Sequence, residues 1–298
     1  MIISKCPLRV SLAGGSTDLQ SFIDVYGRGS VINFPTNLST YIFFSESNND
    51  KYKITYSKIE TLKNPNKIKN DIAREVINYF DLPPVNIIFN SDIPSTGSGL
   101  ASASSYTIAL LECVNRYLNL NLSQFEVCKL ALKIERIINP LTGYQDTYGC
   151  GLGGGLKRLD ITNEGISIKY LNFNSPYDMY LVDTNVVRTS TNILETVDVT
   201  KSKPLLKLVD DMELNISDSD KVCEILNDGW EKKKLSSNLI SNSKINELNK
   251  RFLLDNSVKS VKLCGAGGGG YFLLFVTSMV SNIFVEALTT FVSTKYIL

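Results

Sequence analysis

The chain has 298 residues, 43% of them apolar and 20% charged, and a formal net charge of +1. That balance predicts a folded globular protein of one large or two closely packed domains, and excludes nucleic-acid or membrane-surface binding driven by a positive field. Histidine is absent, which removes Ser-His-Asp hydrolysis, histidine acid–base chemistry and most zinc sites. Any reaction must run on carboxylates, Lys, Arg, Cys, Tyr or a bound cation.

Ile2 to Ala13 reads as a strand ending at Gly14-Gly15-Ser16-Thr17-Asp18, where Thr17 or Asp18 is placed to cap a short helix stopped by Gly27. Tyr41 to Phe44 and Lys53 to Tyr56 read as strands joined by a polar turn, and Ile68 to Phe80 as an amphipathic helix. Val85 to Asn90 is β-rich, and Tyr106 to Leu118 is too long and apolar for a strand, so it reads as a buried helix. Between them lies Pro94 to Ser105, rich in glycine and serine. Strand, small flexible loop, helix start is the order that suits an anion, because glycines admit a close ligand and the helix N-terminus presents unpaired N–H groups.

Ser123 to Glu126 has capping-box spacing and opens a helix that closes before Pro140, with Glu135 near its end. Tyr144 to Gly149 follows, then a glycine-rich, strand-like run from Gly151 to Leu159, with further β-like pieces at 166–170 and 179–182. The second half turns helical at 204–214, 221–235 and 245–254. A strand at 260–263 leads into Gly265-Ala266-Gly267-Gly268-Gly269-Gly270, and a strand at 271–276 and a helix at 283–292 complete the chain. Strands and helices are mixed rather than strictly alternating, which favours an α+β fold. The run Lys232-Lys233-Lys234 reads as a solvated helix face. The six cysteines lack CxxC spacing and several sit in apolar stretches, which predicts buried free thiols in a reducing cytosol. Met1 to Lys5 lacks a signal-peptide core, and no run approaches the ~20 apolar residues that span a bilayer. A cytoplasmic chain without membrane or nucleic-acid partners is therefore expected.

Three glycine-rich turns, at 14–15, 97–99 and 265–270, are costly to order by folding alone. No Walker-type P-loop is present, and no dinucleotide fingerprint follows a strand with an acidic partner. Pro7 to Asp18, Pro94 to Ser105 and Cys264 to Gly270 resemble, in order and across nearly the whole chain, the three signature motifs of the galactokinase/homoserine kinase/mevalonate kinase/phosphomevalonate kinase (GHMP) superfamily. The resemblance implies two α+β lobes, divided near residue 160 into 1–160 and 161–298, with the active site between them. It also implies transfer of the ATP γ-phosphoryl to a small-molecule hydroxyl.

Carried over position by position, the resemblance puts the ATP phosphates on Pro94, Gly97, Ser98, Gly99, Leu100, Ala101, Ser102 and Ser104. Glu135 and Asp146 are eleven residues apart, like the family's Mg²⁺ ligand and catalytic Asp, which implies Glu135 on Mg²⁺ and Asp146 as the base or orienting carboxylate. Arg9 falls where relatives place a cation near the transferred phosphoryl. Relatives usually carry a metal-binding Ser where this chain has Ala103, so Ser102 or Ser104 would substitute, or Glu135, phosphates and water would hold Mg²⁺ alone.

The first motif lacks the Glu-His of galactokinases. With Gln145-Asp146, Tyr148-Gly149 and Gly154-Gly155 it looks like the D-glycero-D-manno-heptose 7-phosphate kinase branch. That branch implies phosphorylation of the C1 hydroxyl of a heptose 7-phosphate, giving a bisphosphate for nucleotide-activated heptose in a bacterial surface polysaccharide. Gly14, Gly15, Thr17, Asp18, Gly267 and Gly268 are then expected at the substrate. Arg188, with Lys157 or Arg158, is the candidate contact to the sugar's own phosphate. Two other readings stand beside it: another sugar 1-kinase of the superfamily, of fucose, arabinose or uronate type, and a weakly catalytic nucleotide-binding regulator suggested by Ala103.

Overall fold

The computed structural model describes residues 1–94, 97–186 and 190–277. Strand β1 (Ile2–Ala13) alternates buried and exposed residues at first and is buried on both faces from arginine 9 onward. The reason is its position: it packs against helices α3 (Ser102–Tyr117) and α5 (Tyr144–Gly151), and also against α7 (Val199–Leu214) and α8 (Ser219–Lys234) from the second half of the chain. After β1 come α1 (Gln20–Tyr26), β2 (Arg28–Glu46), β3 (Tyr52–Thr55), β4 (Ile59–Leu62), α2 (Asp71–Phe80) and β5 (Val85–Ser91). Helix α4 (Gln124–Ile138) precedes α5, and β6 (Lys157–Thr162), β7 (Ile166–Tyr170) and β8 (Asp178–Asp183) follow it. The short α6 (Ser190–Leu194), α9 (Ser243–Leu253), β9 (Val258–Leu263) and β10 (Tyr271–Val276) complete the elements.

The larger sheet runs β4-β3-β5-β2-β6-β7, with β1 on β2 as well. The 19-residue β2 organises it: β1 lies antiparallel along one edge, while β5 takes residues 40–46 and β6 residues 28–33 of the other. The smaller sheet, β8-β10-β9, is antiparallel and packs with Trp230 and Phe252. The larger sheet continues to Tyr170, so residue 160 lies inside β6.

Several elements differ from the sequence reading for local reasons. Only the 41–44 part of β2 is apolar enough to read as a strand; the rest carries Asn33, Pro35 and Thr36. Helix α2 starts at Asp71 because the Asn70 side chain accepts from Ala73 N. Helix α3 starts at Ser102, four residues early, so the serines form its first turn; Ser105 Oγ donates to the Cys6 carbonyl and so is satisfied although buried. The run 151–159 is not one strand. Helix α5 extends to Gly151, where a Cβ would meet Cys128 Sγ at 2.3 Å, and Gly154 and Gly155 turn the chain at positive φ before β6. Neither Thr17 nor Asp18 caps α1: Leu19 is its N-cap, without a side-chain bond. Gly27 does stop α1 in the left-handed region, and the capping box at Ser123 and Glu126 is formed. All six cysteines are buried, and none forms a disulfide. Among the described residues no helix is long and apolar enough to cross a membrane. The helix expected at 283–292 lies outside the described residues.

Candidate active site

The glycine turns at 97–99 and 265–270 meet at one cleft of about 610 Å³, which Ser16 and Asp18, just after the first glycine turn, also line. Its floor is the loop before α3. Gly97 and Gly99 have positive φ, and Ala101 holds φ 62° and ψ 40°, a conformation uncommon for a residue with a Cβ. The loop is fastened from within: Ser98 and Ser102 hydroxyls share a 2.9 Å bond, and Leu100 N donates to Ser98 Oγ at 3.2 Å. The third motif fastens it from outside, through Tyr271 N donating to the Ser98 carbonyl at 3.1 Å. Gly270 makes that approach possible: a Cβ there would stand 2.4 Å from Ser98 O, and its φ is +90°. The result is a preformed turn at the N-terminus of a 16-residue helix, an anion site in both shape and polarity.

Arg9 is locked against this loop. Its backbone N donates to the Leu100 carbonyl, and its Nη1 to the Gly99 carbonyl at 3.0 Å. Its Nη2 and Nε donate to Asp146 Oδ1 at 2.5 and 3.1 Å. The bulge between Pro7 and Arg9 in the β1–β2 register accompanies this departure from the ladder. Burial pulls the Arg9 guanidinium downward, but Asp146 outweighs it and the group stays cationic at any ordinary pH. Asp146 stands in the first turn of α5.

The N-terminus of α5 is held by Asp18. Its Oδ2 accepts from Gln145 N at 3.0 Å, its Oδ1 from Gln145 Nε2 at 3.2 Å, and its carbonyl from Tyr144 N. A Cβ at Gly143 would reach Oδ2 at 2.2 Å, so only glycine lets the helix start this close. Burial raises the Asp18 carboxyl to about 6. Glu135, from α4, is also buried, and Ser104 Oγ donates to its Oε2 at 2.7 Å. Among the described residues its Oε1 has no hydrogen-bond partner. Burial, with Asp146 adding to it, raises this carboxyl to about 8. A buried carboxylate oxygen with nothing to neutralise it, facing a cleft beside a phosphate-type loop, fits a hard cation.

Of the residues expected at the site, Arg9, Asp18, Gly97, Ser98, Gly99, Ala101, Ser102, Ser104, Glu135 and Asp146 line this cleft. Others do not. Leu100 is fully buried behind the loop and Pro94 is exposed beside it. Thr17 turns inward, donating to the Gly14 and Ser30 carbonyls. Gly14 is packed on the Ser30 carbonyl, where a Cβ would stand at 2.0 Å, and with Gly15 it lines a smaller hollow behind the cleft. Gly267 and Gly268 lie against Ile240; from the third motif it is Gly265 and Ala266 that face the cleft. Ser102 bonds Ser98, and it is Ser104 that stands beside Glu135.

The expected phosphate contacts are placed as follows. Lys157 is buried and donates to the Gly155 carbonyl. Arg158 is bound by Asp160, Asp210 and Glu213. Arg188 lies outside the described residues. The sequence reading missed Lys233. Lys232 and Lys234 are surface partners of Asp228 and Glu231, but Lys233 is 6% exposed, lines the cleft and donates to the Gly265 carbonyl at 2.5 Å. The signal was available: Lys233 follows Trp230 by three residues and Leu226 by seven, the buried stripe of α8. Tyr56, Ile72, Phe89 and Tyr106, which line an apolar end of the cleft, were also missed as site residues.

A glycine–serine anion turn facing an arginine-held aspartate, in a cleft large enough for two small ligands, defines a small-molecule phosphotransferase. Residues 66–154 match the family model described as GHMP kinases N terminal domain. The chain is 27% identical to D-glycero-alpha-D-manno-heptose 7-phosphate kinase of Campylobacter jejuni, across 96% of this chain and 93% of that protein. It is 30% identical to mevalonate kinase of Saccharolobus solfataricus over 57% of this chain and 58% of that one. Among solved structures it superposes with TM-score 0.74 on a D-glycero-D-manno-heptose 1-phosphate kinase from Bacteriodes thetaiotaomicron, at 22% identity, covering 97% of this chain and 92% of the other. The fold is thus the two-lobed fold of the GHMP kinases, and the chain is a phosphotransferase of the sugar-kinase kind.

Proposed function

We propose that the chain transfers the γ-phosphoryl of ATP to the C1 hydroxyl of D-glycero-D-manno-heptose 7-phosphate. The observation that carries this is similarity to a heptose 7-phosphate kinase along almost the entire length of both chains, with the Arg9–Asp146 pair set against the loop of residues 97–102 in one cleft. The lobes are taken to divide near residue 170, where the larger sheet ends.

In this reading the 97–102 loop and the N–H groups of α3 hold the ATP phosphates, and the end lined by Tyr56, Phe89 and Tyr106 takes the purine. Glu135 and Ser104 would hold Mg²⁺, which when bound offsets charge on the phosphate oxygens. Arg9 fixes the Asp146 carboxylate by gripping Oδ1. Asp146 accepts the proton of the C1 hydroxyl as its oxygen bonds Pγ, the Pγ–O bond to the β-phosphate breaks, and ADP leaves. The Arg9 guanidinium offsets charge on the transferred group. No histidine is needed, because phosphoryl transfer depends mainly on positioning and charge stabilisation. Ser104, one residue beyond Ala103, supplies a hydroxyl at Glu135, which supports a catalytic rather than a regulatory reading.

The test is ADP release with MgATP against D-glycero-D-manno-heptose 7-phosphate, mannose 6-phosphate, galactose, fucose and arabinose, with phosphorus NMR to locate the new ester. Turnover with the heptose phosphate alone, reduced about 10²–10⁴-fold in Asp146→Asn, is the expected result. Turnover only with an unphosphorylated sugar overturns the substrate and keeps the kinase.

A further inference from the structure

Asp18 and Asp146 both line the cleft, yet their carboxylates are engaged differently. Asp146 is gripped at its side chain by Arg9. Asp18 is 1% exposed, and both of its oxygens are turned on one residue, the neighbour of Asp146: Oδ2 accepts from Gln145 N and Oδ1 from Gln145 Nε2. Helix α5 needs that contact. Its N-cap, Gly143, has no side chain to cap the first turn, so the N–H groups of Tyr144 and Gln145 are satisfied from far away in the chain, by the carbonyl and the carboxylate of Asp18. Tyr144 Oη, which donates to Gln20 Oε1 at 2.7 Å, adds a fourth tie from the same segment. Among the described residues the Gln145 side chain has no other hydrogen bond, and its Oε1 is buried without a partner.

We propose that Asp18 is a positioning residue for the transfer: it fixes the first turn of α5 and, through Gln145, sets where the Asp146 carboxylate stands, without touching the sugar. The inference rests on the reading above of Asp146 as the carboxylate that takes the acceptor proton, and not on which sugar is accepted. A carboxylate suits the task because it offers two acceptor oxygens on one rigid fork. One oxygen takes the backbone N–H and the other the side chain of the same residue, which fixes both the start of the helix and its rotation about its own axis. Asp146 comes next in the chain. It is therefore located from both ends, at the backbone by Asp18 and at Oδ1 by Arg9, and both holders come from the first motif. Gly143 lets the two parts approach. Its φ of −77° and ψ of 169° are open to any residue, so it is the missing Cβ that matters: one would reach Asp18 Oδ2 at 2.2 Å.

The experiment compares wild type, Asp18→Ala, Asp18→Asn and Gly143→Ala. It measures kcat, the single-turnover rate, and KM for ATP and for heptose 7-phosphate (or whichever sugar of the panel above is turned over), with calorimetric ADP binding as the check on a folded cleft. Asp18→Ala removes the clamp. Asp18→Asn can keep both bonds, its Oδ1 accepting from Gln145 N and its Nδ2 donating to Oε1 of a reversed Gln145 amide. Gly143→Ala leaves every polar group in place and wedges the carboxylate away from α5, so it keeps the test open if Asp18→Ala does not fold. A displacement of about 1 Å at a reacting group can cost ~10²-fold, so kcat and the single-turnover rate should fall about tenfold or more in Asp18→Ala and Gly143→Ala, with both KM values and ADP affinity within about threefold. Asp18→Asn should recover most of that loss. A raised sugar KM in Asp18→Ala, with kcat within about twofold of wild type, would make Asp18 a sugar ligand and overturn the inference. Wild-type kcat in both Asp18→Ala and Gly143→Ala would overturn it too, as would an Asp18→Asn enzyme no faster than Asp18→Ala, since the charge and not the clamp would then matter. A rate that Asp146→Asn leaves unmoved would overturn the reading of Asp146 and this inference together.

Discussion

Glu135 makes a demanding test of the electrostatics in the cleft. It is a buried carboxyl with one oxygen satisfied by Ser104 and the other by no hydrogen bond among the described residues, raised from 4.5 to about 8 by burial and then by Asp146. In the unfolded chain it titrates at its ordinary value, so between 4.5 and about 8 the folded state holds a proton that the unfolded state has released. Stability from this group is therefore intact below pH 4.5 and is lost as pH rises to about 8. At about 1.4 kcal/mol per unit the full loss is ~5 kcal/mol in a rigid site, and water entering an open cleft reduces it to ~2 or more. Glu135→Gln keeps the shape and the Ser104 bond without the charge. Urea unfolding of the metal-free proteins should show the variant equal to wild type near pH 5 and more stable by ~2–5 kcal/mol near pH 8.5. MgADP should raise the melting temperature of wild type at pH 8.5 and do much less for the variant. A stability difference that is the same at both pH values would refute the reasoning.

Two further substitutions separate packing from chemistry. Gly270→Ala forces a Cβ to within 2.4 Å of the Ser98 carbonyl at a φ of +90°, so the phosphate loop must shift. ADP binding should weaken about tenfold or more, with far-ultraviolet circular dichroism unchanged; undiminished ADP affinity would show that the third motif does not brace the loop. Lys157 is held down to about 8 by burial, so at pH 7 the folded state bears a charged lysine that it would hold more easily neutral. That penalty fades as pH rises from about 8 toward 10.5. Lys157→Met should therefore stabilise the protein at pH 7 by ~1–3 kcal/mol, less at pH 10, and leave every KM unchanged. A raised phosphosugar KM in this variant would return Lys157 to the substrate site.

Much of the site was legible because its elements are local. Alternation and apolar runs marked β1, β5, β9 and β10, the Ser123–Glu126 spacing marked the start of α4, and each glycine turn has a short-range signature. The identities of Arg9, Glu135 and Asp146 as a group were legible only through the order of three motifs, since nothing in local propensity brings positions 9, 135 and 146 together. The tertiary structure decided the rest. It gave Thr17 to the Gly14 and Ser30 carbonyls and used Asp18 to hold the start of α5. It also put Ser104 rather than Ser102 on Glu135. The lysine run shows why. Charge alone assigns all of residues 232–234 to solvent, and two of the three obey, but a helix turns 100° per residue. The middle lysine therefore falls on the stripe begun by Leu226 and Trp230, and packing carries it into the cleft. Sequence determines which chemistry is carried; which partner each polar group meets depends on surfaces brought together from distant parts of the chain.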